Sequence, residues 1–228
     1  MKNGIFLIDN VNNQRIYSFL KILGTYLRNL NHNDLLVEVG CGSGLLAEKI
    51  SALHRNMECL DLQDARIYGK AINFKKCNLA VQKMPYVDST VSLVIATQVL
   101  EHLENPTFFI EECHRVLKED GLLMLSYPNF TNIFQRINIL MNGFTFRLGG
   151  QVSSGGHINI ITSKNLAHWM DNRFYLKKNE GDFFASVKYA PWFMSLMKKS
   201  GDKHLIFPEI KSLLLSYNII SVFKKKNI

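Results

Sequence analysis

The chain has 228 residues, 47% of them hydrophobic, and 27 Lys and Arg against 19 Asp and Glu give a formal charge of +8. That length suits one medium domain with its own core, and the hydrophobic content excludes a disordered chain. Part of the positive excess lies in short runs, Lys177-Lys178, Lys198-Lys199 and Lys224-Lys225-Lys226. It fits an acidic substrate, an anionic membrane surface, nucleic acid or a merely solvated face.

The four cysteines, at 41, 59, 77 and 113, include no CxxC pair. The spacing argues against a zinc site or a disulfide framework and predicts a reducing, cytoplasmic setting. The N-terminal MKNGIFLIDNVNNQR lacks an apolar core of signal-peptide length, and no 18-residue apolar stretch follows. Neither a signal peptide nor a transmembrane helix is expected.

In chain order, Ile16, Phe19, Leu20, Leu23, Leu27 and Leu30 recur at helical spacing and predict a helix from Gln14 to Leu30. Leu35–Val39 reads as the first strand, Ser43–Leu53 as a crossover helix, and Met57–Leu60 as a second strand ending at Asp61. Asp64–Asn73 is weakly helical, Phe74–Leu79 holds a short strand, and Thr90–Thr97 is a strongly apolar strand. Pro106–Leu117 is a helix and Gly121–Ser126 another apolar strand. Strands alternating with helices at this spacing predict a parallel sheet covered on both faces.

Beyond Pro128 the pattern changes. Phe130–Met141 looks helical, a Gly- and Ser-rich loop follows, and Ser163–Met170 fits a helix with Ser163 as N-cap. The final NIISVFKKK reads as a last strand.

The segment VEVGCGSG, Val37–Gly44, joins the first strand to its helix. Its glycines do not match the G-x-G-x-x-G of a dinucleotide site, nor is there the G-K-[ST] of a phosphate loop. Glu38 ahead of the loop repels a pyrophosphate and suits a cationic ligand. S-adenosylmethionine carries a sulfonium and an amino group.

Together with Asp61, Met84-Pro85-Tyr86, Glu101-His102, Arg115-Val116-Leu117-Lys118, Asp120-Gly121 and Pro128-Asn129, this segment resembles the class I S-adenosylmethionine-dependent methyltransferases of the broad small-molecule type. The matching residues spread from about Asp34 to His157. The resemblance implies an α/β, Rossmann-like, doubly wound fold with a mostly parallel seven-stranded sheet. It further implies a single domain over 1–228 with a substrate-cap insertion at 130–162.

The same resemblance implies S-adenosylmethionine as cofactor. Gly40, Cys41, Gly42 and Gly44 would wrap its methionine part, with Glu38 orienting loop amides or the amino group. Asp61 would take the ribose hydroxyls and Leu62 would pack on the adenine. Asn78 or Ala80 stands where the family has an acidic residue, so Asn78 and the backbone near Leu79 would serve the adenine. Val91-Ser92 replaces the family's F-D. Gln98 would line the cleft between cofactor and acceptor, and His102 and His157 are the candidate bases or acceptor ligands. Arg136 and Arg147 are anion-binding candidates. No metal site is expected.

The implied reaction is O-methylation of a small molecule or a glycan- or lipid-linked cell-envelope precursor. The alternative is a non-catalytic cofactor-binding regulator or assembly protein on the same fold. A nucleic-acid acceptor is disfavoured, because the N-P-P-Y or D-P-P-Y of base methylation is absent. Peripheral contact of the Tyr189–Lys199 tail with an anionic membrane is one reading of its aromatic and lysine residues, and a core helix is the other. A monomer and a homodimer both remain open.

Overall fold

The computed structural model describes residues 16–143, 156–182, 216 and 218–227. Helix α1 covers residues 16–27. It is followed by β1 (Leu35–Val39), α2 (Leu45–Ser51), β2 (Met57–Asp61), β3 (Asn73–Lys76), β4 (Val91–Thr97), α3 (Pro106–Val116) and β5 (Leu117–Pro128). The chain then forms α4 (Ile133–Asn142), α5 (Ser163–Met170), β6 (Phe174–Asp182) and β7 (Asn218–Lys225). The seven strands make one sheet in the order β3-β2-β1-β4-β5-β7-β6. The first five pair in parallel, and β7 runs antiparallel to both β5 and β6. This is the Rossmann-like, seven-stranded architecture expected from the sequence.

The side-chain alternation of the central strands sorts the core into two layers. Leu36 of β1 and Leu93 and Ile95 of β4 meet Phe19, Ile22 and Leu23 of α1 and Leu46, Ala47 and Ile50 of α2. Val37, Val39, Val94 and Ala96 point the other way, into Phe109, Ile110, Cys113 and Val116 of α3 and Leu166 and Met170 of α5. A strand covered on both faces has no polar alternation, hence the continuous apolar run Leu93–Ala96 within β4.

Several expectations change. Asp64–Asn73 is not a helix; a buried arginine organises it as a loop. Arg66 pairs with Asp64 at 2.8 Å and donates to the carbonyls of Gly69 and Ile72 at 3.0 and 2.7 Å. A guanidinium with several rigid oxygen partners outweighs weak helical propensity. The cap of α5 is Thr162, not Ser163: its hydroxyl accepts from the Asn165 amide while the Asn165 side chain takes the Thr162 amide. Between His157 and α5, residues 156–162 form no regular element. The third strand starts and ends earlier, at Asn73–Lys76.

Strand β6 went unread. Its sequence FYLKKNEGD is mostly polar, and Tyr175 and Leu176 are exposed. It is an edge strand held mainly by its ladder to β7, so it carries little hydrophobic signal. A buried polar chain crosses these strands: Tyr127 Oη lies 2.9 Å from Ser221 Oγ, which donates to Asn179 Oδ1 at 2.9 Å. Phe144, Phe146, Arg147 and the Tyr189–Lys199 tail lie outside the described residues.

Arg115 ties α3 to the segment before β4. It makes a two-pronged contact with Glu112 at 2.8 and 2.7 Å, binds Asp88 at 2.6 Å, and donates to the carbonyls of Tyr86 and Met84. Glu112 in turn accepts from the Met84 amide at 2.8 Å. Arg115→Ala leaves the buried Glu112 without its cation, and a loss of about 3 kcal/mol in chemical denaturation is expected.

Asp34 joins β5 to the bottom of the sheet. The Lys118 ammonium at 2.8 Å, helped by the Ser92 hydroxyl at 2.7 Å, holds its carboxyl down at about 2. A carboxyl depressed in the folded state stabilises above its unfolded pKa, near 4, and loses that contribution as pH falls toward 2. Asp34→Asn is expected to cost about 1–2 kcal/mol at pH 7, the Lys118 end being partly solvated, with the gap to wild type closing below pH 3 in thermal melts.

Candidate functional site

The sheet order doubles back after β3, so β1 and β4 lie side by side with their connections leaving in opposite directions. A crevice opens at their carboxyl ends. The loop Gly40–Gly44 leaves β1 there. Gly40 has φ 66°, and a Cβ at that position would stand 2.5 Å from Val99 Cγ2. Gly44, at φ 80°, packs on the Tyr68 carbonyl, where a side chain has no room. The loop is closed from outside by the Arg66 segment, since the amides of Ile67 and Tyr68 both donate to the Ser43 carbonyl.

Two carboxylates hold this loop. Asp61, at the end of β2, accepts from the Gly42 amide at 2.8 Å and from its own neighbour Leu62 at 2.7 Å. Each oxygen keeps a lone pair facing outward. Glu38 is 2% exposed and accepts from the Ala47 amide in the first turn of α2. It therefore serves as the cap of a helix whose own N-cap, Gly44, has no side chain. Its other oxygen, Oε2, is buried with no hydrogen-bond partner among the described residues. Burial, with the nearby Cys59 and Asp61, pushes the Glu38 carboxyl well above the usual carboxylate range.

Glu38 also borders a cavity of about 200 Å³, lined with it by Phe19, Cys41, Ser43, Thr97, Gln98 and Ser126. A second cavity of about 400 Å³ lies across the glycine loop, lined by Gly40, Asp61, Leu62, Asn78, Leu79, Gln98 and His102. Gln98 borders both. It is held in a left-handed backbone at φ 56° by its amide bond to the Ser126 carbonyl, 2.7 Å, and its side chain reaches Ser126 Oγ at 3.4 Å. A non-glycine residue in this conformation costs about 1 kcal/mol, and such strain gathers at functional sites.

Cys41 is buried in the loop, and its thiol is pushed up first by a hydrogen bond with the Cys59 thiol and then by burial. It is a neutral wall of the first cavity. Leu62 is 56% exposed and stands open at the rim of the second. Asn78 is partly committed: its Oδ1 caps the turn through the Ala80 amide at 3.1 Å, and its own amide is held by Gln82. Leu79 is buried beneath the second cavity.

The acceptor-side residues converge. Glu101 and His102 sit in a 3-10 turn, Leu100–His102, just past β4. The His102 and His157 ring centroids are 4.9 Å apart, and His102 Nδ1 lies 3.3 Å from the Gly156 carbonyl. The segment carrying His157 is tied to this turn. Ile158 and Asn159 amides both donate to the Glu101 carbonyl, and Asn159 Nδ2 donates to the carbonyls of Leu100 and Leu103. Arg136 is not gathered with these groups by any described contact; its Nε donates to the Thr131 carbonyl.

Sequence reasoning missed Phe19, Thr97 and Ser126 as cavity walls, and Arg66 and Asn159 as the groups that shape the loops. Phe19 was legible only as a core position of α1. Asn159 had no signal, because its function is bonding carbonyls far away in the chain.

A sequence family described as a methyltransferase domain matches residues 37–125. A probable S-adenosylmethionine-dependent methyltransferase of Mycobacterium tuberculosis is 35% identical over 100 residues, 41% of this chain and 35% of that protein. A ubiquinone biosynthesis O-methyltransferase of Rickettsia akari is 29% identical over 151 residues, 61% of this chain and 59% of its own length. The chain thus spans about a third to three fifths of the relatives it matches. Among solved structures, a putative methyltransferase from Bacillus halodurans superposes with a TM-score of 0.60 at 15% identity, covering 93% of this chain and 99% of that one. Residues 37–125 thus match a methyltransferase domain, and the sheet order, with its glycine loop and strand-end aspartate, is the fold of the solved methyltransferase it superposes on.

Proposed function

We propose that the protein transfers a methyl group from S-adenosylmethionine to a small-molecule acceptor, with a hydroxyl oxygen as the receiving atom. The observation that carries this is Glu38 Oε2, buried beside the glycine loop without a partner among the described residues. A buried carboxyl in that position calls for a cationic donor, which an amino acid's ammonium group supplies and a pyrophosphate does not. Asp61 stands one strand away, beside the second cavity, where its outward lone pairs suit a ribose diol. The Leu62 side chain and the Asn78–Leu79 backbone fit an adenine edge.

Bound S-adenosylmethionine supplies an activated methyl whose C–S bond breaks as the acceptor bond forms, leaving a neutral thioether. The chain's own residues have to align and exclude water. Gln98 and the Gly40–Gly44 loop position the two ends of the cofactor, and the α1 face bearing Phe19 closes the first cavity. An O–H acceptor must shed its proton as its oxygen bonds the methyl carbon, and the polar groups on that side are His102, which lines the cleft, and His157 against it.

A quinone-precursor acceptor agrees with the ubiquinone-biosynthesis relative, and a lipid-linked one with α4, whose Ile137, Leu140 and Met141 face outward. A cytoplasmic protein agrees with the four free, buried cysteines. No helix among the described residues is long and apolar enough to cross a membrane.

Calorimetric titration with S-adenosylmethionine and S-adenosylhomocysteine tests the cofactor reading. Saturable binding by wild type, weakened at least about tenfold in Asp61→Ala, is expected from the loss of charged hydrogen bonds. A folded wild type that binds neither compound would overturn it. Turnover against a panel of hydroxylated acceptors then separates an enzyme from a cofactor-binding regulator.

Glu38→Gln separates binding from folding. The folded state raises the Glu38 pKa, so this carboxyl disfavours folding as pH rises above its unfolded value. The glutamine variant should melt higher than wild type at pH 8, with the difference shrinking toward pH 4. It should bind S-adenosylmethionine about 10–100-fold more weakly. Tight binding with an unchanged melt would remove Glu38 from the site.

A further inference from the structure

Glu101, His102 and His157 each offer one ligand atom, and these atoms all lie within 4.8 Å of one another. A buried carboxylate and two imidazoles are the donor set of a first-row divalent cation rather than of Mg²⁺ or Ca²⁺, which prefer all-oxygen shells. Metal bonds of about 2.1 Å place neighbouring donors about 3.0–3.5 Å apart, so small side-chain rotations close the set.

The surroundings are built for this convergence. Residues 156–159 return from more than fifty positions away and are fixed to the Leu100–Leu103 turn by four donors–acceptor contacts: the Ile158 and Asn159 amides on the Glu101 carbonyl, and Asn159 Nδ2 on the Leu100 and Leu103 carbonyls. The backbone on either side of the three ligands is therefore rigid. The Gly156 carbonyl, 3.3 Å from His102 Nδ1, selects the tautomer with its proton on Nδ1 and leaves Nε2 as a lone-pair donor. A backbone carbonyl on the second ring nitrogen is the usual outer support of a metal-bound histidine. His102 lines the larger cavity, so the cluster adjoins open space rather than the core.

We propose that Glu101, His102 and His157 bind a divalent first-row transition-metal ion such as Mn²⁺, Co²⁺ or Zn²⁺. Its remaining coordination positions face the cleft and accept an oxygen of the acceptor. The second clause rests on the methyl-transfer reading; the binding of the ion does not. With the ion in place the two imidazoles are ligands, and a coordinated hydroxyl releases its proton to water more readily than a free one.

The test uses the full chain without an affinity tag, stripped with chelator and titrated with Co²⁺ while visible absorption is followed. One saturating equivalent with ligand-field bands is expected, along with much weaker binding of Mg²⁺. His102→Ala and His157→Ala should each abolish the saturable phase, and Asn159→Ala should weaken it about tenfold. His168→Ala, an exposed histidine on α5, should leave it unchanged. His102 is itself exposed, so its variant keeps the fold and decides the matter even where the His157 variant misfolds. Absence of saturable binding in folded wild type, or binding that survives His102→Ala, overturns the proposal. S-adenosylmethionine titrations on the same metal-free samples report the cofactor site separately, so failure of one reading is not mistaken for failure of the other.

Discussion

Parallel pairing of the first five strands governs everything else. A parallel ladder forces each connection to travel the length of the sheet and re-enter from the same side. All carboxyl ends then share one edge. Glu38 and the glycine loop, Asp61, Asn78 and Gln98 come from the ends of β1, β2, β3 and β4 in turn. None is near another in sequence, yet the doubling-back between β3 and β4 sets them around a single crevice. Chemistry at this edge needs only short side chains, because the backbone has already arranged the distances.

The positions of those groups are secured by two arginines, Arg66 buried and Arg115 partly buried, rather than by the site itself. Arg66 folds the segment after β2 over the glycine loop through Asp64 and the carbonyls of Gly69 and Ile72. Arg115 holds Met84 and Tyr86, and so fixes the chain that runs from Asn78 to β4. In both cases a planar guanidinium bonds two backbone carbonyl oxygens. Loops supported in this way can carry a strained residue such as Gln98 without collapsing.

The sequence made the parallel part of the fold legible because every feature there is local. A buried strand is an apolar run, and a tight turn needs glycine. Arg115 lies in a recognisable ordered motif. The remainder was hidden for a physical reason. β6 is an edge strand whose exposed Tyr175 and Leu176 carry no core pattern. The Arg66 loop is set by contacts to carbonyls, which any sequence possesses. The meeting of His102 and His157 depends on Asn159 bonding a turn 56 and 59 positions earlier, a relation without a local period. Composition and spacing could nominate both histidines but could not bring them together.

The polar chain of Tyr127, Ser221 and Asn179 has a consequence for how the end of the chain finds its place. β7 threads between β5 and β6, joining strands far apart in sequence, and its apolar residues alone would tolerate a shifted alignment. Sliding β7 by one residue would turn Ser221 out of line and leave the Tyr127 hydroxyl, whose burial already pushes its pKa up to about 12, facing hydrocarbon. A two-residue slide would restore the face but still break both hydrogen bonds. Three modest polar groups thus act as an alignment key for the last strand. The key excludes misthreaded sheets that hydrophobic matching by itself would admit.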